Sequence, residues 1–105
     1  MKRGEVWWAE LPDPWRRRPV LLLARDEAYR LLTWVIVVPT TTNVRSIPTA
    51  VELTETDGMP QKSAVAVDNL LAVRKTWLTE PITTLTPERM LEVEHAIHFA
   101  MNLSF

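Results

Sequence analysis

Arg16-Arg17-Arg18-Pro19-Val20-Leu21-Leu22-Leu23 decides the fold, because it sets three fixed charges directly before an unbroken apolar run. Pro19 to Ala24 has no polar alternation, the pattern of a strand buried on both faces. Arginine keeps its charge at physiological pH and presents a planar fork of donors, so a cluster at the mouth of a rigid strand is suited to grip a phosphate. A solvated loop is the other reading of such a run, and composition alone favours it.

Upstream, Val6 to Leu11 is short, aromatic and β-prone, and it stops at Pro12-Asp13-Pro14. Downstream, Asp26 is placed to cap a helical turn over Glu27 to Leu32, and Trp34 to Val38 is an apolar strand ending at Pro39. Thr49 to Leu53, bounded by Pro48 and the Asp57-Gly58 turn signal, Ser63 to Val67, and Val73 to Ile82 broken at Pro81 complete the strands. Short strands at this spacing predict a mainly β, small-barrel architecture. A C-terminal helix follows, with Thr86 as N-cap, Pro87 at its first position and Glu88 in its first turn. Its apolar stripe is Met90, Val93, Ile97, Ala100 and Met101.

The 105 residues form one domain, 1–105, with 47% apolar residues and no low-complexity stretch. At a net charge of −1, any nucleic-acid site must be a local basic patch, and the second half carries acidic residues at 55, 57, 88, 92 and 94. The absence of cysteine excludes disulfides, thiol chemistry and thiolate zinc sites. No apolar run approaches the ~18 residues that span a bilayer, and the N-terminus lacks a signal-peptide core, so a cytoplasmic, membrane-free protein is expected. Only Gly4 and Gly58 are glycines, which excludes a phosphate-binding glycine loop and a dinucleotide fingerprint. Glu92 and His95 have metal-ligating spacing but no partner helices, so neither metal nor cofactor is expected.

Read in order, RGEVWW, RPVLLL, Val37-Val38-Pro39-Thr40-Thr41, Ile47-Pro48, Val67-Asp68-Asn69 and Leu85-Thr86-Pro87-Glu88 resemble the MazF/PemK family from about Lys2 to the C-terminus. The resemblance implies an SH3-like barrel with a C-terminal helix. It further implies the toxin of a type II toxin–antitoxin system, a metal-independent, sequence-specific endoribonuclease for single-stranded RNA, an mRNA interferase. On this reading the products are a 2′,3′-cyclic phosphate and a 5′-hydroxyl, the state is a homodimer, and a small acidic antitoxin folds across the RNA groove.

By position, Arg18 matches the family's catalytic arginine and Thr41 its second catalytic residue. A guanidinium aimed at the pentavalent phosphorus stabilises the added charge of the transition state, and a hydroxyl at a strand end can donate to the same phosphate. Thr40 and Thr42 flank Thr41, so the register could be off by one, and such runs also cap turns. Asp68 and Asn69 match a pair near the RNA groove, although an amide after a strand is also a turn residue. Arg16, Arg17, Trp15, Thr42, Asp68 and Asn69 are the RNA-binding candidates, with Trp15 as base platform. Trp7 and Trp8 face opposite ways, Trp34 is expected in the core, and Trp77 is open. The family's loop glutamate has no counterpart here; Asp13 is the local candidate for proton acceptor. Two alternatives stand beside this reading: a gyrase-poisoning toxin of the CcdB kind on the same barrel, and a barrel that binds nucleic acid without cutting it.

Overall fold

In the computed structural model, which describes residues 1–103, seven strands and two α-helices follow the chain. The strands are β1 (Glu5–Glu10), β2 (Arg17–Leu22), β3 (Trp34–Thr41), β4 (Ala50–Leu53), β5 (Ser63–Ala66), β6 (Leu71–Arg74) and β7 (Leu78–Thr84). Helix α1 (Ala28–Leu31) links β2 to β3, and α2 (Pro87–Met101) closes the chain. The antiparallel sheet runs β4-β5-β3-β2-β1-β7, with β6 added on β3, giving the expected mainly β barrel with a C-terminal helix.

Strand β2 explains how so small a sheet holds a core. Leu21 joins a cluster with Val6, Val38, Leu53, Val65 and Val93, while Val20 and Leu22 join a second with Ala9, Val35, Val37 and Val73. Both faces of β2 are thus buried, and the apolar run needs no alternation. Helix α2 covers the first cluster through Met90, Val93 and Ala96, with Ile97 and Ala100 packed at its margin. Thr86 caps it by accepting from the Arg89 N–H at 3.2 Å, with Pro87 at its first position. Met101 leaves the expected stripe, at 59% exposure.

Several local expectations differ from the structure. Asp26 caps nothing: Glu27 holds the cap position without a side-chain bond, and the Asp26 carboxylate accepts from the Arg3 N–H at 2.7 Å. Strand β3 continues through Pro39 to Thr41, since Pro39 lies where β6 gives way to β5 as neighbour and the ladder is interrupted. Pro81 likewise sits inside β7, an edge strand with shifted register, and the break falls at the Lys75–Trp77 turn instead. Trp34 is 47% exposed, because β3 alternates there and sends Val35 and Val37 inward. Its ring meets that of Trp77 edge-on at 5.5 Å.

Candidate active site

Residues Val20 and Pro39 face each other across β2 and β3, as do Leu21 and Val38. The pairing ends at Val20 and Pro39, and just beyond it Arg18 donates to the Thr40 carbonyl and Thr40 to the Pro19 carbonyl, so Arg18 and Thr41 line the same clefts at the open end of the strand pair. Two sequence motifs 23 positions apart thereby become neighbours.

The half-buried Arg18 side chain is fixed by backbone. Its Nε donates to the Trp15 carbonyl at 2.7 Å and its Nη1 to the Thr40 carbonyl at 3.2 Å, with the guanidinium 5.4 Å from the Trp15 ring centre. No carboxylate pairs with it among the described residues, so its charge is uncompensated. Arg17 is different: it pairs with Glu10 at 2.9 Å and Glu80 at 3.1 Å and lies 4.1 Å over the Trp8 ring. Arg16 is different again, turning at φ 58° into solvent, 83% exposed, with Asp13 3.8 Å away. The structure therefore separates the three charges into one held and unpaired, one neutralised and one outside.

The threonines separate as cleanly. Thr40, 3% exposed, donates through Oγ1 to the Pro19 carbonyl at 2.8 Å and is part of the frame. Thr41 Oγ1 accepts from the Asn43 N–H at 3.1 Å, which leaves its own proton free to donate. Thr42 is exposed.

Two clefts meet at this point. One, of about 420 Å³, is lined by Trp8, Arg17, Arg18, Thr40, Thr41, Thr42, Gln61 and Ser63 among others. The other, of about 360 Å³, is lined by Trp15, Arg18, Thr41, Asn43, Arg45, Thr49, Asp68 and Asn69 among others. Arg18 and Thr41 line both and so form their shared wall. Trp15, Asp68 and Asn69 are brought together in the second cleft, and Arg17 and Thr42 in the first. Asp13 and Arg16 line neither. Sequence reading did not single out Arg45, Gln61 or Ser63, which stand on loops or a short strand without a diagnostic pattern. A larger cleft, about 690 Å³, runs between α2 and β4 past Glu52, His95 and Phe99, and none of the candidate site residues lines it. Among the described residues no cluster of three or more metal-ligating side chains occurs.

The β barrel thus sets a guanidinium without a carboxylate partner and a hydroxyl with a free proton in the wall between two clefts, a cationic, hydrogen-bond-donating site. Comparison with known proteins makes the class specific. The family described as PemK-like, MazF-like toxin of type II toxin–antitoxin systems matches residues 2–101, and the chain belongs to that family. It is 36% identical over 103 residues to the probable endoribonuclease MazF5 of Mycobacterium tuberculosis, covering 97% of this chain and 94% of that protein. Among solved structures it is similar to the Mycobacterium tuberculosis toxin MazF-mt6, with TM-score 0.88, 32% identity, and 96% and 99% of the two chains covered. A mycobacterial endoribonuclease solved in complex with its cognate antitoxin also matches at TM-score 0.88 and 27% identity, over 100% of this chain and 98% of that one.

Proposed function

We propose that this protein is the toxin of a toxin–antitoxin pair and cuts single-stranded RNA by transesterification at the wall shared by the two clefts. The observation that carries the reading is the Arg18 guanidinium, unpaired by any carboxylate, locked by two carbonyls and set beside a free Thr41 proton. The ribose 2′-oxygen attacks phosphorus, the bond to the 5′-oxygen breaks, and a 2′,3′-cyclic phosphate and a 5′-hydroxyl leave. Arg18 and Thr41 stabilise the phosphoryl oxygens, whose charge grows in the transition state. In this reading Arg18 also gives a proton to the departing oxygen. The 2′-hydroxyl proton needs an acceptor, and Asp68 is the carboxylate that shares a cleft with Arg18 and Thr41. Fixed guanidinium charge does here what a divalent ion does in other nucleases.

Relatives named as endoribonucleases, and one solved with its antitoxin, support the same reading over the gyrase-poisoning alternative. A homodimer and an acidic antitoxin partner belong to it. Helix α2 leaves Leu91, Phe99 and Met101 more than half exposed, apolar surface suited to protein contact. The test is cleavage of single-stranded RNA with EDTA in excess. Cut RNA with cyclic-phosphate ends is the expected result; activity that vanishes with chelation and returns with a divalent ion would contradict the mechanism, and gyrase stalling without RNA cleavage would favour the alternative.

A further inference from the structure

We propose that the 420 Å³ cleft is a pocket for one unpaired nucleobase next to the reacting phosphate, with Gln61 and Ser63 reading the base edge and the Trp8–Arg17 stack supporting its face. The inference rests on the nuclease reading above. Because Arg18 and Thr41 line both clefts, a phosphate held by them sends one flanking nucleotide into each. Unstacked bases are held on aromatic or guanidinium planes and told apart by hydrogen bonds to their edges.

The first cleft has both parts. Its flat wall is Trp8 with the Arg17 guanidinium 4.1 Å above the ring. Glu10 and Glu80 hold Arg17 in that position and take up its charge, so it serves as a plane rather than as a phosphate clamp. No carboxylate lines this cleft, whereas Asp68 lines the other. Its edge-reading groups are polar and idle. Ser63 is 3% exposed, and its Oγ is a buried side-chain oxygen with no hydrogen-bond partner among the described residues. A buried hydroxyl without a partner costs free energy, and a ligand that hydrogen-bonds to it removes that cost. Gln61 is exposed at the same cleft, and its amide offers a donor and an acceptor side by side, the pattern that reads a base edge. The cleft is far larger than a phosphate and falls within the range of small-ligand pockets.

The experiment uses short 2′-O-methyl oligonucleotides, which cannot be cut because the attacking oxygen is blocked, with a base varied or removed on either side of the central phosphate. Affinity is read by tryptophan quenching for the wild type, Gln61→Ala and Ser63→Ala. The wild type is expected to lose roughly tenfold in affinity when the base on one side is removed. Both variants should shrink that dependence and flatten the preference among bases. Ser63→Ala should do so with its thermal midpoint kept or raised, since it removes an unsatisfied hydroxyl; Gln61 is exposed, so its variant folds. Equal affinity with and without the base on both sides overturns the proposal, as do variants with an unchanged base preference. Unmodified RNA is assayed in parallel. Base-dependent binding without cleavage strikes only the nuclease reading, and cleavage with base-indifferent binding strikes only the pocket.

Discussion

Arg16, Arg17 and Arg18 are one residue type in sequence and three different objects in space. Arg18→Ala removes a preorganised donor, so turnover at saturating RNA should fall by about 10²–10³, the range for loss of one such group. Arg17→Ala should act on affinity, because its charge is already met by Glu10 and Glu80 and what it adds is the plane over Trp8. Arg16→Ala should change little. Single-turnover rates against RNA concentration separate these outcomes, and equal affinity-level losses at all three positions would remove Arg18 from catalysis. The threonines permit a sharper control. Thr41→Val should keep the strand and lose turnover, with Thr41→Ser retaining much of it. Thr40→Val instead breaks the bond to the Pro19 carbonyl, costing about 0.5–1.5 kcal/mol of stability, readable as a lowered midpoint of chemical denaturation. A rate loss at Thr40 without one at Thr41 would move the reacting hydroxyl by one residue.

Elements were legible where one physical cause dominates. The apolar run of β2 has no reading other than two-sided burial, and Thr86-Pro87-Glu88 states a helix start in three residues. Legibility failed where a neighbour decides. Trp34 looks like core until β3 is seen to present that face outward, and Asp26 looks like a cap until the Arg3 N–H takes its carboxylate. Gln61 and Ser63 carry no periodicity, so only the packed cleft shows them. The turn between β4 and β5 makes the same point in energetic terms. Gly58 sits at φ 89°, and a Cβ there would collide with Thr83 Oγ1 and approach its Cβ to 2.8 Å, while Thr83 itself donates to the Asp57 carbonyl at 3.0 Å. Gly4, at φ 95°, would meet only Met90 atoms at 3.7 Å. Gly4→Ala should therefore cost only the left-handed backbone, about 1–2 kcal/mol, and Gly58→Ala distinctly more. Denaturation midpoints that rank the two the other way would mean the turn yields freely.

The same turn ties α2 to the barrel, and its carboxylate makes that tie pH-dependent. Burial alone would raise the Asp57 pKa, but the Arg89 guanidinium, at 2.9 and 3.4 Å, and the Thr54 N–H, at 2.9 Å, outweigh it and hold it below its ordinary value. A depressed carboxylate pKa contributes stability that is complete above the unfolded value of about 3.9 and is lost as pH falls through the folded value. Asp57→Asn should thus lower the melting midpoint near neutral pH and differ less and less from the wild type as the pH drops below about 4. A constant gap down to acid pH would show that shape, not charge, holds the turn.

At the scale of the whole molecule, a chain of net charge −1 has no broad field to attract a polyanion, so binding must come from the few cations left unpaired at the clefts. Among residues lining them, Arg18 and Arg45 have no carboxylate partner among the described residues, whereas Arg17 has two. Each phosphate neutralised on a single strand contributes about 0.7 to the slope of log affinity against log salt, so two contacts predict a slope near −1.4 for one engaged chain. If every arginine of the basic run and Arg45 gripped phosphate, the slope would be about twice that. Affinity for an uncleavable RNA between low and moderate salt measures it directly. Arg45→Gln and Arg18→Gln should each flatten the line, and Arg16→Gln, turned toward Asp13 and solvent, should leave it unchanged. A flattening by Arg16→Gln equal to that of Arg45→Gln would mean that RNA follows the outer turn rather than the two clefts, and the shared wall at Arg18 and Thr41 would lose its claim to be the point of attack.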